Sequence, residues 1–305
     1  MERKKEQNLT AAESYKRSKF NAFEVTEPIQ LMDFIMRAMD GISRTKAKAI
    51  LAGGGVTVDR QKVTQFDFEL KPGMAVDIRK HKKSSELQNK FVKIVYEDKW
   101  LVLIEKADGI LSMGSNTNQF SVKSVLDQYF KKKHLKCTAH VVHRLDRETS
   151  GLMIYAKDRD TEQILEEYWH DIVTDRRYVA VVNGVMEQES GTVESWLKDN
   201  KSYITYSSPT DNGGKFAVTH YRTLKSNDQY SLMDLKLETG RKNQIRVHMQ
   251  DLGHPVVGDA KYGNIASPIH RMALHAYRLD FIHPITHERM EFETPFPRGF
   301  VALVK

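Results

Sequence analysis

Apolar residues recur along this chain at two spacings, one typical of helices and the other typical of strands. The helical spacing is seen first at Leu31, Phe34, Ile35 and Ala38. Positions spaced in this way lie on one face of a helix, so the segment is predicted to form a helix that buries that face. From Phe91 to Lys106 apolar and polar residues alternate instead, which predicts two strands joined by a short turn.

The same two patterns predict further elements along the rest of the chain. The predicted strands are Leu152–Ala156, Arg177–Val182 and Ser231–Leu237, and the predicted helices are Ser121–Lys133, one that starts at Asp160–Gln163, and Arg241–Met249. The first of these strands is short and wholly apolar, so it is predicted to be fully buried. In the last helix Ile245, Met249 and Leu252 share one face, and Gly253 is predicted to end it.

The composition sets broad limits on the class of protein. The chain has 305 residues, 40% of them hydrophobic, which is enough for one large domain and a small one. No stretch approaches the ~18 consecutive apolar residues of a membrane span, and the charged segment Met1–Lys19 does not resemble a signal peptide. The single Cys137 excludes an internal disulfide framework and a cysteine-rich metal cluster. We therefore expect a cytoplasmic protein that does not bind membranes.

Positive charge is concentrated in the N-terminal part of the chain. The net charge is +7, and residues 1–90 hold 18 Lys and Arg against 12 Asp and Glu. The remaining 215 residues hold 29 and 28, so nearly the whole excess precedes residue 91. A basic segment of this kind indicates a polyanionic partner, whose phosphates it would neutralise with release of counterions. A solvated basic tail is the alternative, and it accounts only for residues 1–20.

After this basic tail, the sequence predicts a helix and a strand within a short stretch of the chain. Ser43 is predicted to be the N-cap of a second helix. That helix presents three cations, Arg44, Lys46 and Lys48. Glycines then interrupt the chain, and Val56–Asp59 is predicted to form a strand. This order resembles the S-four-type RNA-binding module, named after a ribosomal small-subunit protein, and the resemblance implies a small α/β domain whose three cations bind RNA.

The most informative segment of the chain is His143–Gly151, in which one carboxylate stands between two guanidinium groups. Asp146 is flanked by Arg144 and Arg147, and the predicted buried strand begins directly afterwards. A carboxylate at the edge of a buried strand, with cations beside it, stays ionised and can act as a nucleophile or a base. The spacing is equally consistent with a turn aspartate that pairs with the neighbouring arginines.

A second basic segment follows the predicted turn at Glu238–Gly240. Arg241, Lys242 and Arg246 are predicted to lie on one short helix, where they would bind a phosphate or pair with a buried acid. A solvated basic face is the alternative. That alternative is weakened because Arg246 adjoins the apolar face of the predicted helix instead of opposing it.

These segments together resemble the pseudouridine synthases of the RluA type. The resemblance rests on His143–Leu152, Arg177–Gly184 and Leu237–His248, and it extends over residues 90–304. Asn243 replaces a histidine of the family pattern, and Ala107 replaces a proline, which is expected to loosen one turn. The resemblance implies an α+β catalytic domain with a mixed, largely antiparallel sheet split by a central cleft. The predicted organisation is a flexible basic tail at 1–25, an S-four-type RNA-binding domain at 26–80, a linker at 81–90 and a pseudouridine synthase catalytic domain at 91–305.

The resemblance also implies a reaction, the conversion of uridine in RNA to pseudouridine, which needs no cofactor. Asp146 is implied as the catalytic carboxylate, acting either as a nucleophile or as a base, with Arg246 as its partner. Tyr178 is implied to stack on the uracil ring. The residues implied to bind the substrate are Arg144, Arg147 and Ile245.

Other interpretations stay open at the level of sequence. Large-subunit ribosomal RNA is the expected substrate, because family members with this N-terminal module mostly modify it, and transfer RNA is the alternative. A non-catalytic RNA-binding assembly factor would need nothing from Asp146, and a glycosidase-like hydrolase would pair it with a second carboxylate such as Glu148. His283 and His287 have a metal-like interval, but Pro284 lies between them, so no metal site is predicted. The protein is expected to be a monomer.

Overall fold

The structure is a computed structural model that describes most of the chain. The described residues are 20–39, 42, 44–52, 55–79, 87, 89–114, 119–263 and 267–305. The chain divides into two compact units, residues 1–84 and 85–305. None of the helices within the described ranges is long and apolar enough to cross a membrane.

Where the structure describes it, the N-terminal unit combines two helices with short antiparallel strands. Its helices are α1, Leu31–Ala38, and α2, Arg44–Ala52. Its strands are β1, Phe20–Glu24, β2, Ile29–Gln30, β3, Val56–Val58, β4, Gln61–Lys62, β5, Glu69–Leu70, and β6, Ala75–Arg79. Four strands form a sheet in the order β1-β6-β3-β4, and β2 pairs with β5. The apolar face predicted for α1 is confirmed, since Leu31 and Ile35 are fully buried in the core of this unit.

This unit begins earlier in the chain than the sequence predicts. The predicted flexible tail of residues 1–25 is wrong at its end, because Phe20–Glu24 forms β1 and pairs antiparallel with β6. The strand predicted at Val56–Asp59 is confirmed as β3. Ser43, the predicted N-cap, lies outside the described residues, and so does the side chain of Lys46.

The C-terminal unit is built on one long sheet. Its strands are β7, Val92–Glu97, β8, Leu101–Lys106, β9, His140–Val141, β10, Ser150–Ala156, β11, Val173–Asn183, β12, Ser190–Asp199, β13, Thr205–Ser208, β14, Lys215–Ser226, β15, Tyr230–Leu237, β16, Leu274–Ile282, and β17, Arg289–Glu293. The main path of the sheet is β13-β12-β14-β15-β11-β16-β10-β8-β7, with β17 beside β16 and β9 beside β10. Among the described strands every pair is antiparallel except β10 with β16, which confirms the predicted mixed, largely antiparallel sheet.

Within the described residues of this unit, five helices accompany the sheet. They are α3, Val122–Lys132, α4, Arg159–Glu167, α5, Trp169–Ile172, α6, Gln244–Asp251, and α7, Arg298–Leu303. One hydrophobic cluster joins β11, β15 and β16 to α6 and α7, and a second joins β7, β8 and β10 to α3. Tyr178 packs against both clusters, so it stands where the two main parts of the core meet.

Along the main path of the sheet, the parallel pair of strands β10 and β16 shares the fewest residue pairs. We call this pair the β10–β16 seam. Two residue pairs form it, Ser150 opposite His275 and Gly151 opposite Ala276. Gly151 has a φ of +125°, and a Cβ atom there would lie 2.2 Å from the Ala276 carbonyl oxygen. Only glycine permits so close an approach of the two backbones. The seam therefore fixes the end of the His143–Gly151 segment against β16.

Most predicted elements of this unit are confirmed, with differences at their ends. The apolar run Leu152–Ala156 lies in β10 and is buried throughout. Helix α4 starts at Arg159 instead of Asp160, because the Asp158 side chain accepts the Thr161 N–H and caps the helix.

The turn at Ala107 is not loosened in the way that the sequence predicts. Its N–H donates a hydrogen bond to the Phe91 carbonyl at 2.8 Å. A proline has no N–H and could not make this bond.

The second basic segment does not form the single helix that its sequence predicts. Helix α6 begins at Gln244, because Asn243 before it adopts a left-handed backbone with a φ of 55°. Arg241 and Lys242 lie in the preceding turn, and only Arg246 belongs to the helix. The prediction of three cations on one helix is therefore wrong.

Candidate active site

The Asp146 loop, residues 144–149, is anchored by hydrogen bonds on both sides of its carboxylate. The Ser112 hydroxyl donates to the Leu145 carbonyl at 2.7 Å and accepts the Leu145 N–H at 3.1 Å. The Thr149 N–H donates to the Asp146 carbonyl at 3.2 Å and closes the turn. The backbone of Asp146 is therefore fixed, while its side chain remains 27% exposed.

A buried lysine holds the same loop from the other side. Lys106 is fully buried at the end of β8. Its ammonium group donates at 2.8–3.1 Å to the carbonyl oxygens of Ala107, Ile110 and Arg147. Burial lowers the pKa of Lys106 to about 8, and nearby carboxylates, Asp146 among them, oppose that effect. The lysine thus satisfies three carbonyl groups and ties the Asp146 loop to β8.

Arg246 reaches the carboxylate from α6, 100 residues further along the chain. Its Nη1 lies 3.2 Å from Asp146 Oδ2. Its Nε and Nη2 donate to the buried Asp259 carboxylate at 2.6 and 2.8 Å. Burial lowers the pKa of Arg246, but the hydrogen bonds and charges of Asp259 and Asp146 raise it overall, so the side chain is cationic. The bidentate pair fixes the guanidinium plane and directs the remaining nitrogen at Asp146.

Asn243, which replaces a histidine of the family pattern, belongs to the same network. Asparagine adopts a left-handed φ more readily than most residues, so it suits the position before α6. Its Oδ1 accepts a hydrogen bond from Arg246 Nη1 at 3.0 Å. Its amide nitrogen donates to the Tyr262 hydroxyl at 3.0 Å and to the Thr205 hydroxyl at 3.3 Å. Asn243 thus supports the same nitrogen that contacts Asp146.

Tyr178 lies on β11 beside this ion pair. Its neighbours across the sheet are Leu235 of β15 and Ala276 of the seam. Burial raises the pKa of the Tyr178 hydroxyl, while the Arg176 charge lowers it and the Asp146 charge raises it. The phenol is therefore neutral at physiological pH. Ile245, predicted to line the base pocket, is buried in the cluster against which Tyr178 packs.

The two arginines that flank Asp146 in sequence do not contact its carboxylate. Arg144 and Arg147 are both exposed, and Arg147 donates its Nε to the Gly109 carbonyl at 3.2 Å. Within the described part of the chain, the ion-pair partner of Asp146 is Arg246. The interpretation of a turn aspartate paired with its neighbouring arginines is therefore wrong.

Sequence reasoning missed two charged residues of this site, Lys106 and Asp259. Both carry the same signal, a charge two residues after the end of an apolar run. Lys106 follows the buried residues Leu101–Ile104, and Asp259 follows Val256–Val257. A charge in such a place is withdrawn from water and needs a partner, which here is a set of carbonyls or a guanidinium.

His283 and His287, whose spacing is metal-like, differ in their surroundings. His283 is buried, and its Nε2 lies 2.8 Å from the Asp98 carboxylate. Its Nδ1 accepts the N–H groups of Ile285 and Thr286. Both ring nitrogens of His283 are thus used within the protein, and His287 is exposed.

Comparisons with known proteins relate the chain to one family. A family model for RNA pseudouridylate synthases matches residues 100–251. The uncharacterized RNA pseudouridine synthase YjbO of Bacillus subtilis is 37% identical over 271 residues, which cover 87% of this chain and 95% of that protein. The ribosomal large subunit pseudouridine synthase D of Haemophilus influenzae is 35% identical over 234 residues, 72% of each chain. The solved structure of human RNA pseudouridylate synthase domain containing 4 matches with a TM-score of 0.56 and 26% identity, covering 68% of this chain and 90% of that one. The chain belongs to the RNA pseudouridine synthase family.

Proposed function

We propose that this protein converts one or more uridines of large-subunit ribosomal RNA to pseudouridine, with Asp146 as the catalytic carboxylate. The observation that carries this proposal is the 3.2 Å contact between Arg246 Nη1 and the Asp146 carboxylate, beside Tyr178. The choice of RNA is supported by the Haemophilus relative, whose name assigns it to the large ribosomal subunit. Transfer RNA is the alternative substrate.

The proposed reaction rearranges one nucleotide without net gain or loss of atoms. The bond from ribose C1′ to uracil N1 breaks, the uracil turns, and C1′ bonds to C5. The proton on C5 leaves, and N1 gains a proton. The target uridine must first leave its stack, at a cost of about a few kcal/mol.

The residues around Asp146 suit both roles open to a carboxylate in this reaction. Asp146 either attacks a carbon of the nucleotide covalently or removes a proton from the ribose, and Arg246 orients its oxygens in both cases. Tyr178, as a neutral phenol on β11, offers an aromatic face on which the uracil ring stacks.

The test of this proposal replaces Asp146 by asparagine, which keeps the side-chain size and removes the charge. Wild-type and Asp146→Asn proteins are incubated with RNA from cells that lack the gene, and pseudouridine is mapped by carbodiimide-dependent stops of reverse transcription. We expect product in large-subunit RNA with the wild type and none with the variant, while RNA binding is preserved. The matched control Glu148→Gln changes an exposed acid of the same loop and is expected to stay active.

Each other outcome overturns a definite part of the proposal. An active Asp146→Asn variant overturns the role of Asp146. Product confined to transfer RNA overturns the choice of substrate, and release of free uracil indicates a hydrolase instead of an isomerase. If the Asp146→Asn gene fully restores growth of the deletion strain, the function in the cell is that of an RNA-binding assembly factor.

We also propose that the N-terminal unit is an S-four-type RNA-binding domain that raises the affinity for RNA by tethering. Its support is the order of α1, α2 and β3 and the exposure of Arg44 and Lys48 on α2. The double reversal Arg44→Glu/Lys48→Glu should weaken RNA binding and lower the slope of log Kd against log salt by about 0.7–0.9 for each lost phosphate contact. Its control is Lys62→Glu/Lys71→Glu, two exposed lysines of the same unit outside α2. Equal slopes for the two double variants would contradict this assignment.

A further inference from the structure

Arg176 is a half-buried arginine near Tyr178, and among the described residues it has no acidic partner. It lies two residues before Tyr178 on β11, so both side chains project from the same face of the strand. Its guanidinium carbon lies 5.7 Å from the centre of the Trp169 ring. Within the described residues no carboxylate forms an ion pair with it. Arg177, its neighbour in sequence, projects from the opposite face and pairs with Asp234 at 2.9 Å.

Other arginines withdrawn from solvent in this unit are neutralised by acids. Arg246, Arg271 and Arg278 each have an aspartate oxygen within 2.6–2.8 Å. Burial lowers the pKa of Arg176, and no charged carboxylate offsets that effect. A guanidinium in such surroundings carries a desolvation cost, which an anionic ligand would offset.

A cavity of about 220 Å³ opens beside this guanidinium. Its lining includes Trp169, His170, Thr174, Arg176, Lys236 and Glu238. Of the two acids of the lining, Asp175 accepts from Arg177 at 2.8 Å, and the exposed Glu238 is hydrogen-bonded to the His220 ring at 2.6 Å. Among the described residues neither acid forms an ion pair with Arg176, so the positive charge of Arg176 lies unpaired beside the cavity.

Neighbouring residues keep the guanidinium in place. Trp169 packs on the His143 ring at a centre-to-centre distance of 4.9 Å, and His143 Nε2 accepts the Ile154 N–H at 2.9 Å. Trp169 is therefore supported by β10 and offers Arg176 a fixed aromatic face. At Gly240 a Cβ atom would lie 2.9 Å from Arg176 Nη1, so the turn after β15 approaches the guanidinium with no side chain between them.

We propose that Arg176 binds a backbone phosphate of the RNA beside the target uridine, an assignment that rests on the proposed RNA substrate. A guanidinium presents paired N–H groups that match two phosphate oxygens, and the Trp169 ring lies against it, with its centre 5.7 Å from the guanidinium carbon. Because Tyr178 shares its face of β11, a phosphate on Arg176 positions the flipped nucleotide next to Tyr178 and Asp146. Arg176 is thus a substrate-binding residue that the sequence did not reveal.

The experiment compares two replacements of Arg176 with a matched control. Arg176→Met removes the charge at similar length, and Arg176→Lys keeps the charge but loses the paired donors. The control Arg289→Met removes an exposed arginine that pairs with Glu291. The full-length proteins bind a fluorescent oligouridylate of about 15 nucleotides, and anisotropy gives Kd at several salt concentrations.

For Arg176→Met we expect about tenfold weaker binding and a salt slope smaller by about 0.7, the value for one phosphate contact on a single strand. Arg176→Lys should keep the salt slope of the wild type and bind with intermediate affinity. Arg289→Met should match the wild type in both quantities. A wild-type slope for Arg176→Met would overturn the assignment.

A second measurement separates phosphate binding from a packing role against Trp169. Methylphosphonate groups, which lack the phosphate charge, are placed one at a time beside the uridine of an oligoribonucleotide that carries the mapped target site. One position should weaken wild-type binding about tenfold and have no further effect on Arg176→Met, because both changes remove the same contact. Additive losses at every position would overturn the assignment. That result would leave the proposed function intact, because the proposed function is tested separately, by mapping the pseudouridine that the wild type and Asp146→Asn form.

Discussion

At the scale of single residues, the direction of Arg246 depends on Asp259. The Asp259 carboxylate accepts two guanidinium N–H groups, and its Oδ1 also accepts the backbone N–H groups of Lys261 and Tyr262 at 2.9 and 3.0 Å. The carboxylate is therefore immobile. Its two bonds to the guanidinium leave Nη1 of Arg246 pointing toward Asp146.

Replacing Asp259 by asparagine should lower kcat by about ten- to a hundredfold, because Arg246 loses its fixed orientation. The same change should lower the free energy of unfolding by about 3 kcal/mol, because the amide leaves a buried guanidinium without full compensation. Both effects are measured by turnover on RNA and by urea unfolding, with RNA affinity expected to stay near the wild-type value. The control Asp199→Asn removes a more exposed pair with Lys242 and should cost less than about 1 kcal/mol. A wild-type kcat for Asp259→Asn would contradict the role of Asp259.

Some residues of this site can be predicted from the sequence, and others cannot. The family resemblance implies that Asp146 and Arg246 are partners, and in the structure their side chains lie 3.2 Å apart. Arg176 and Arg177 show why other residues were missed. They are adjacent and identical in type, yet one pairs with Asp234 and the other does not, because strand alternation sends them to opposite faces. Whether a charged side chain forms an ion pair depends on its neighbours on the adjacent strands. The order of the strands in the sheet sets those neighbours, and the sequence alone does not give that order.

At the scale of elements, periodicity identifies strands and helices, while single side chains decide where they end. The apolar run of β10 and the apolar face of α3 were predicted correctly because each follows a regular spacing. The start of α6 was not, because the left-handed backbone of Asn243 has no counterpart in a hydrophobic pattern. The pairing at the β10–β16 seam could not be predicted from spacing either. It joins residues far apart in the chain, such as Ser150 and His275, which are 125 positions apart.

The β10–β16 seam should tolerate no side chain at Gly151. In Gly151→Ala the Cβ atom would lie 2.2 Å from the Ala276 carbonyl oxygen, and the φ of +125° is unfavourable for alanine. The free energy of unfolding of this unit should fall by about 3 kcal/mol or more. Urea unfolding followed by tryptophan fluorescence measures it, because the tryptophans of the chain, Trp100, Trp169 and Trp196, all belong to residues 85–305.

A second glycine separates the cost of backbone strain from the cost of this close contact. Gly253 has a φ of +80°, and a Cβ atom there would meet nothing within 4 Å. Gly253→Ala should therefore cost only about 1–2 kcal/mol, the price of a left-handed alanine. If the two variants lose the same free energy of unfolding, the seam is not the constraint that the geometry indicates.

At the scale of the whole C-terminal unit, buried histidines link stability to pH. His248 lies between the hydroxyls of Thr219 and Ser195, at 2.8 and 3.0 Å. His275 lies at the seam, 2.7 Å from the Ser150 hydroxyl. Burial lowers the pKa of each imidazole to about 4. In the unfolded chain the same groups titrate near pH 6.5, about the ordinary value for histidine.

The unit is therefore expected to lose stability as the pH falls below about 6.5. Between about pH 6.5 and 4 the unfolded chain binds protons that the folded chain does not, so acid favours unfolding. From about pH 7 to pH 5, each of the two histidines should lower the free energy of unfolding by about 1–2 kcal/mol. In His248→Gln the free energy of unfolding should fall less between pH 7 and pH 5 than in the wild type, by the amount that one histidine contributes. In His170→Gln, which changes an exposed histidine, it should fall as much as in the wild type. Tryptophan-monitored urea unfolding at both pH values measures the difference, and equal losses in the wild type and His248→Gln would contradict the linkage.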